Sequence, residues 1–396
     1  MQLFDTATAA VTPLAPRDGR IGMYVCGITP YEGGHVGHAF TYHTFDVIAR
    51  RLGQGGVHVR SVRNITDVDD DILRVARLRR MDYRALGDEQ VRRFDSDMAA
   101  IGLLDVDAAP RATARVHEMV EWITRLISSG HAYDSDGWVY FDVERFPRYG
   151  TLSRLSPGEM LELSAQRGGD PDDPRKRHPL DFVLWQPSQP DEPSWPAPWS
   201  AGRPGWHIEC TVLSAEELSL PIDIHGGGDD LVYPHHESEI AQAEALGLDY
   251  VRHWVHVAMV GYHGEKMSKS LGNLVFVRDL LDSVPAAVVR LLLSAHHHRR
   301  AWEYTDHELA RAQTRWLAYR SAIVSDAGVS LADAERVREE FYGRIDDDLD
   351  TAGALAILDT VVARTTGPNA PSAGDVSAEQ LLAPLLVTLG VQIARD

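Results

Sequence analysis

The chain has 396 residues, a formal net charge of −19 and 44% hydrophobic residues, which fits an ordinary globular protein of two or three domains. No apolar run reaches membrane-spanning length and the N-terminus shows no signal-peptide pattern, so no membrane partner and a cytoplasmic location are expected. The acidic total excludes a global basic field for nucleic acid, and two cysteines, Cys26 and Cys210, exclude a disulfide framework.

In chain order, Gly22-Met23-Tyr24-Val25-Cys26-Gly27 reads as a short buried strand ending in a turn. The Gly/Pro-rich stretch Ile28 to Gly37 follows, then helical periodicity from Ala39 to Leu52. Val57-His58-Val59-Arg60-Ser61-Val62 reads as a second strand. Asn64-Ile65-Thr66-Asp67 opens another helix, with Thr66 or Asp67 as its N-cap. Strand, helix and strand at this spacing predict a parallel βαβ unit, whose ligands sit at the carboxyl ends of the strands, where Cys26 to His38 falls. Residues 88–165 read as helical and then mixed. Gln166 to Pro174 reads as a long exposed loop, of the kind that is often functional, and Pro187 to Pro204 as a second loop. Sheet character returns at Ile222-Asp223-Ile224-His225 and from His253 to Val260. From about Ala286 the chain reads as amphipathic helices, with Thr366 to Gly374 a linker or turn.

Basic residues are almost all arginine. Only three lysines occur, and two of them stand together in Lys266-Met267-Ser268-Lys269-Ser270. Lysine is a compact, mobile point charge that the arginine fork does not reproduce, and a phosphate passing through a transition state is a natural use for it. His35-Val36-Gly37-His38, at a helix start just after a strand, supplies two imidazoles beside the positive end of a helix, with a glycine that admits a close ligand.

The two motifs together match the signatures of class I aminoacyl-tRNA synthetases, in which both contact ATP. Met23 to Tyr31, Gly205-Trp206-His207-Ile208-Glu209-Cys210 and His225 to Leu231, running on to Pro234-His235-His236-Glu237, resemble cysteinyl-tRNA synthetase. The fold class so implied is α/β: a Rossmann-like parallel sheet over 1–105 and 200–285, an inserted subdomain over 106–199 and a helical domain over 286–396. The resemblance implies one Zn²⁺, held at the matching positions Cys26, Cys210, His235 and Glu239, a donor set suited to that ion. Serine and cysteine differ by one atom, which a plain pocket separates only about 10–200-fold. A zinc with an open position binds a thiolate and neglects a hydroxyl.

Several features resemble instead the mycothiol-pathway cysteine ligases, which pass cysteine to the amine of glucosaminyl-inositol. Gln166-Arg167-Gly168-Gly169-Asp170-Pro171 is close to that family's Glu-Arg-Gly-Gly-Asp-Pro signature, departing at Gln166. Pro193-Ser194-Trp195-Pro196, Gly202 to His207, Ile28 in place of the usual synthetase proline, Leu274 to Val277 and Ala295 to Glu303 also fit. The chain beyond Ser270 looks like a small helical bundle without an anticodon-binding portion, so tRNA is not expected as a partner. Ser238 to Gln242 and Leu271-Gly272-Asn273 are synthetase-like, however. The ligases generally lack a glutamate at position 239, which leaves Glu239 a fourth metal ligand or a group just outside the coordination shell.

The resemblance therefore implies an ATP-dependent, AMP-forming ligase, a carbon–nitrogen bond-forming enzyme that joins L-cysteine to glucosaminyl-inositol. The alternatives are a cysteinyl-tRNA synthetase, the same ligation onto another amine, and a non-catalytic paralogue. His35, His38, Lys266 and Lys269 would stabilise phosphate charge, with Mg²⁺ on the pyrophosphate. Cys26, Gly27, Ile28, Thr29, Thr41, Asn64, Ile65, Thr66, Trp206, Gly228, Asp229, Asp230 and Val260 would line the cysteinyl-adenylate pocket. Thr41 and Asn64 read equally as cap or turn residues, and Trp206 as a core aromatic. A monomer is expected.

Overall fold

The computed structural model describes residues 1–267, 272–366 and 374–393. Its central sheet has four parallel strands in the order Trp254–Val257, Ile224–Gly228, Arg20–Ile28, His58–Ile65. The helix Val36–Gln54 makes the crossover between Arg20–Ile28 and His58–Ile65. Its buried residues Val36, Phe40, Val47 and Ile48 recur at helical spacing, and Met23 and Val25 of the sheet belong to the same core cluster. The chain leaves Arg20–Ile28 toward one edge of the sheet and later returns on its other side. The strand order thus reverses between Arg20–Ile28 and Ile224–Gly228. In open parallel sheets a ligand crevice forms at the carboxyl ends of two strands that part in this way.

The sequence places a helix start at Thr66 or Asp67. Instead Asn64 and Ile65 complete the strand, and the helix runs Asp70–Arg79 with Asp69 as its N-cap, its carboxylate accepting from Ile72 N at 2.8 Å. Asp67 is unavailable as a cap because both its oxygens are engaged by Thr113, at 2.9 and 2.7 Å. Within the segment expected to be a loop up to Pro204, Gly202–Pro204 is the edge strand of a four-stranded antiparallel sheet built with Ala132–Ser135, Trp138–Phe141 and Phe182–Pro187. That edge runs directly into the helix Trp206–Glu217.

Helices Ala286–Ser294, Asp306–Val324, Leu331–Asp346, Thr351–Thr366 and Ala378–Thr388 pack onto the far side of the parallel sheet, in one hydrophobic cluster with Phe40, Phe45 and Ile48. Fully buried Arg290 ties this layer to the Val36–Gln54 helix through an ion pair with Asp46. A second cluster joins the antiparallel sheet to Trp206–Glu217 and Glu237–Ala245, and contains Cys26 and Cys210. Most of the expected 366–374 linker lies outside the described residues.

Candidate active site and metal centre

A cavity of about 240 Å³ opens at the switch point of the parallel sheet. Cys26 and Gly27 line it from one parting strand and Gly228 from the other. His35, Gly37, His38 and Thr41 come from the first turns of the following helix, with Asp230, Val260 and Met267 opposite. Larger hollows lie elsewhere, including a cleft of about 710 Å³ beside His296 to Trp302, but among the described residues neither cysteine borders it. Chemistry, more than volume, singles out the smaller cavity.

The histidine motif is built by helix geometry. His35 is the N-cap of Val36–Gln54 and its Nδ1 accepts from His38 N at 3.3 Å, while the two rings stack with centroids 3.7 Å apart. A Cβ on Gly37 would lie 3.0 Å from the His35 ring, so glycine keeps that stack uncrowded. The segment after the lysine motif is laced to this turn: Val36 N donates to Val275 O at 2.9 Å and Val277 N to Gly34 O at 3.1 Å. Lys269 lies outside the described residues, and Lys266 enters only through its backbone, which pairs with Gly261.

Several predicted pocket residues stand behind the wall. Asn64 Oδ1 accepts from Gly27 N at 2.6 Å, and Asn64 Nδ2 donates to Thr66 Oγ1 at 3.0 Å. A Cβ on Gly27 would come within 1.6 Å of the Asn64 carbonyl, so only glycine fits. Thr29 donates to Asp69 at 2.9 Å, and Ile28 and Ile65 are buried; Thr41, on the wall itself, donates back to Gly37 O at 3.3 Å. Asp229 is exposed. Trp206 stacks on His235 with centroids 4.2 Å apart.

Around Cys26, which lines the cavity, the chain gathers Cys210, His235 and Glu239, and the donor atoms of the four all lie within 4.8 Å of one another. Each is buried: 5%, 1%, 1% and 0% exposed. Cys26 Sγ and Cys210 Sγ are 3.8 Å apart. Two thiolates on one tetrahedral zinc, each with a bond of about 2.3 Å, would be about 3.8 Å apart, so the pair has the spacing the ion requires. His235 Nδ1 is occupied by His207 Nδ1 at 3.0 Å, which turns Nε2 toward Glu239 Oε1 at 3.3 Å. The two Glu239 oxygens have separate duties. Oε2 accepts from Tyr250 OH at 2.7 Å and meets His225 Nε2 at 3.0 Å, while Oε1 faces Cys26, His235 and His236. Burial pushes the Glu239 carboxyl up, but His225, His235 and Tyr250 outweigh it and hold the group below its usual range. Burial lowers His235 to about 3, keeping its ring neutral as a metal ligand requires. Burial also pushes the Cys26 thiol well up, aided by Cys210 and Glu239. Two thiols, an imidazole and a carboxylate gathered out of water are a donor set that suits a divalent ion such as zinc.

Sequence reasoning missed the groups that orient these donors. His236 Nε2 is 3.2 Å from Cys26 Sγ and its Nδ1 is 2.7 Å from His256 Nε2, which continues to Thr6 Oγ1 at 2.7 Å. Cys26, His225 and His236 form a second close group. His225 and His236 lie inside quoted motifs, whereas Tyr250 and His256 belong to no pattern. Arg167 reads in the sequence only as part of a functional loop; its guanidinium donates to the carbonyls of Asp230 and Tyr233 and so joins the Gln166 to Pro174 loop to the cavity rim.

Residues 13–314 match the family model described as tRNA synthetases class I (C) catalytic domain. The chain belongs to this class I synthetase family. Curated relatives of this member include proteins named L-cysteine:1D-myo-inositol 2-amino-2-deoxy-alpha-D-glucopyranoside ligase. The one from Streptosporangium roseum is 43% identical, covering 94% of this chain and 92% of its own length. That from Nocardia farcinica is 44% identical over 91% and 89%. The class I fold is shared with methionyl-tRNA synthetase of Mycobacterium tuberculosis bound by methionyl-adenylate, at TM-score 0.66 and 17% identity, covering 94% of this chain and 88% of that one. Among the described residues no helix is long and apolar enough to cross a membrane.

Proposed function

We propose that the protein is an ATP-dependent cysteine ligase that activates L-cysteine as cysteinyl-AMP and transfers it to the amine of glucosaminyl-inositol in the cytoplasm. The observation that carries this reading is the junction of a buried two-thiol, imidazole and carboxylate cluster with a cavity whose rim is a helix N-terminus bearing His35 and His38. The likeness to relatives named for this ligation supports the acceptor.

Cys26, Cys210 and His235 would hold a zinc ion, with Glu239 a fourth ligand or a group just outside the shell. Held by the three, zinc would supply an open position that selects a thiolate over a hydroxyl. In the first step an oxygen of the cysteine carboxylate attacks the ATP α-phosphorus, and the bond to pyrophosphate breaks. His35, His38 and the helix terminus that His35 caps offer donors to the growing phosphate charge, in the role also proposed for Lys266 and Lys269 with Mg²⁺. Gly27 and Gly228 line the cavity, and Asn64 fixes the Gly27 amide. In the second step the acceptor nitrogen attacks the activated carbonyl, its bond to AMP breaks, and the nitrogen releases a proton. We assign 1–105 and 200–285 to this chemistry, 106–199 to the inserted subdomain and 286–396 to a helical support.

Cysteine-dependent exchange of label between pyrophosphate and ATP tests the first step. Exchange with cysteine and little with serine is expected; equal exchange with both contradicts the reading. Transfer to tRNA is the second reading, favoured by the synthetase-like Ser238 to Gln242 segment.

A further inference from the structure

Glu209 is the one acid in the Trp206–Glu217 helix that is fully buried, at 0% exposed, and neither of its carboxylate oxygens has a hydrogen-bond partner. Its electrostatic neighbours are Asp69, Cys210 and Asp67, with the Thr66 hydroxyl beside it. The other two acids of this corner are engaged. Asp69 accepts from Ile72 N and Thr29 Oγ1, and Asp67 from Thr113 and Arg111. Glu209 alone carries unspent acceptor capacity, in a place where leaving it unmet is costly.

The corner adjoins the cavity through a short chain of contacts. Thr66 Oγ1 accepts from Asn64, and Asn64 accepts from Gly27 N on the cavity wall. Along the helix Glu209 stands next to Cys210 of the metal cluster and three residues beyond Trp206, which stacks on His235. Gly27 on the cavity wall is thus two hydrogen bonds from Thr66, the neighbour of Glu209.

We propose that Glu209 receives the primary ammonium group of an amine substrate, with Thr66 as its neighbour in the contact. The inference rests on the cysteine-ligase reading, in which two ammonium groups take part: that of cysteine and that of the acceptor. A primary ammonium satisfies the unmet acceptor and supplies a positive charge beside Glu209.

The test uses the zinc-loaded full chain and the Glu209→Gln variant, which keeps the shape and removes the charge. Pyrophosphate exchange is measured with cysteine and with 3-mercaptopropionate, which has the thiol and carboxylate but no amine. The KM for glucosaminyl-inositol is measured in complete ligation. If Glu209 holds the cysteine ammonium, the wild type prefers cysteine and the variant loses that preference about tenfold or more, with zinc content unchanged. If it holds the acceptor ammonium, exchange is unaltered and the acceptor KM rises by a similar factor. A variant with wild-type preference and wild-type acceptor KM overturns the proposal, as does a uniform loss with both thiols that leaves the preference intact. Should Glu209→Gln not fold, Glu209→Asp, which keeps the charge but withdraws it, decides by the same ratios. Absence of cysteine-dependent exchange in the wild type would count against the ligase reading itself, which separates the two failures.

Discussion

Cys26 Sγ and Cys210 Sγ stand 3.8 Å apart although 184 residues separate them in sequence. One ends a strand and the other opens a helix entered from a different sheet, so the contact exists only in the assembled fold. Cys210→Ser should remove a soft donor and leave the helix intact. Metal analysis is expected to fall from one zinc per chain to near none, with unchanged far-ultraviolet circular dichroism. Full zinc retention would remove Cys210 from the ligand set.

Tyr250 touches no proposed substrate. Its hydroxyl donates to Glu239 Oε2 at 2.7 Å and fixes which oxygen faces the cluster. Loss of such an outer partner typically lowers metal affinity about 10–100-fold. Tyr250→Phe should shift zinc competition against a chelator by that factor, whereas Glu239→Gln should cost more if the carboxylate is itself a ligand.

Arg167 ties its loop to the backbone of Asp230 and Tyr233, ahead of His235. Arg167→Ala should free the loop from the rim. The expected result is an acceptor KM raised about tenfold, from loss of one or two charged hydrogen bonds, with cysteine-dependent exchange within about twofold of wild type. Equal damage to both half-reactions would show that Arg167 serves the cluster and not the acceptor side.

His43 is buried against Ser294, its Nε2 3.0 Å from the hydroxyl, and burial, then Arg290 and Arg50, hold its pKa well below 6.5. The unfolded chain takes up this proton as pH drops through 6.5 while the folded chain refuses it. Stability is thus full above that pH and is lost as pH falls below it. Between pH 7 and pH 5 one such residue costs about 2 kcal/mol. Denaturant titrations should show His43→Phe with a pH slope shallower by about that amount; an unchanged slope would contradict the assignment.

The pattern of apolar residues was sufficient to read the strand–helix–strand unit, because one side of each element faces the core. It failed at Asp69: three acids and a threonine crowd positions 66–70, and the choice of cap is decided by Thr113, far along the chain. The Gly202–Pro204 strand was hidden by Pro204 and the Pro-rich segment before it; an edge position tolerates such a proline. The four cluster residues were accessible through family motifs, since their spacing in sequence carries no metal signature. His236, His256 and Tyr250 were not, because the duty of an orienting group is set by distance in the fold.

Mass spectrometry of the product formed from cysteine, ATP and a panel of acceptors tests the central claim most directly. The account predicts AMP together with a cysteinyl amide of glucosaminyl-inositol, and little cysteine on tRNA. Efficient cysteinylation of tRNA, with no amide formed, would contradict it.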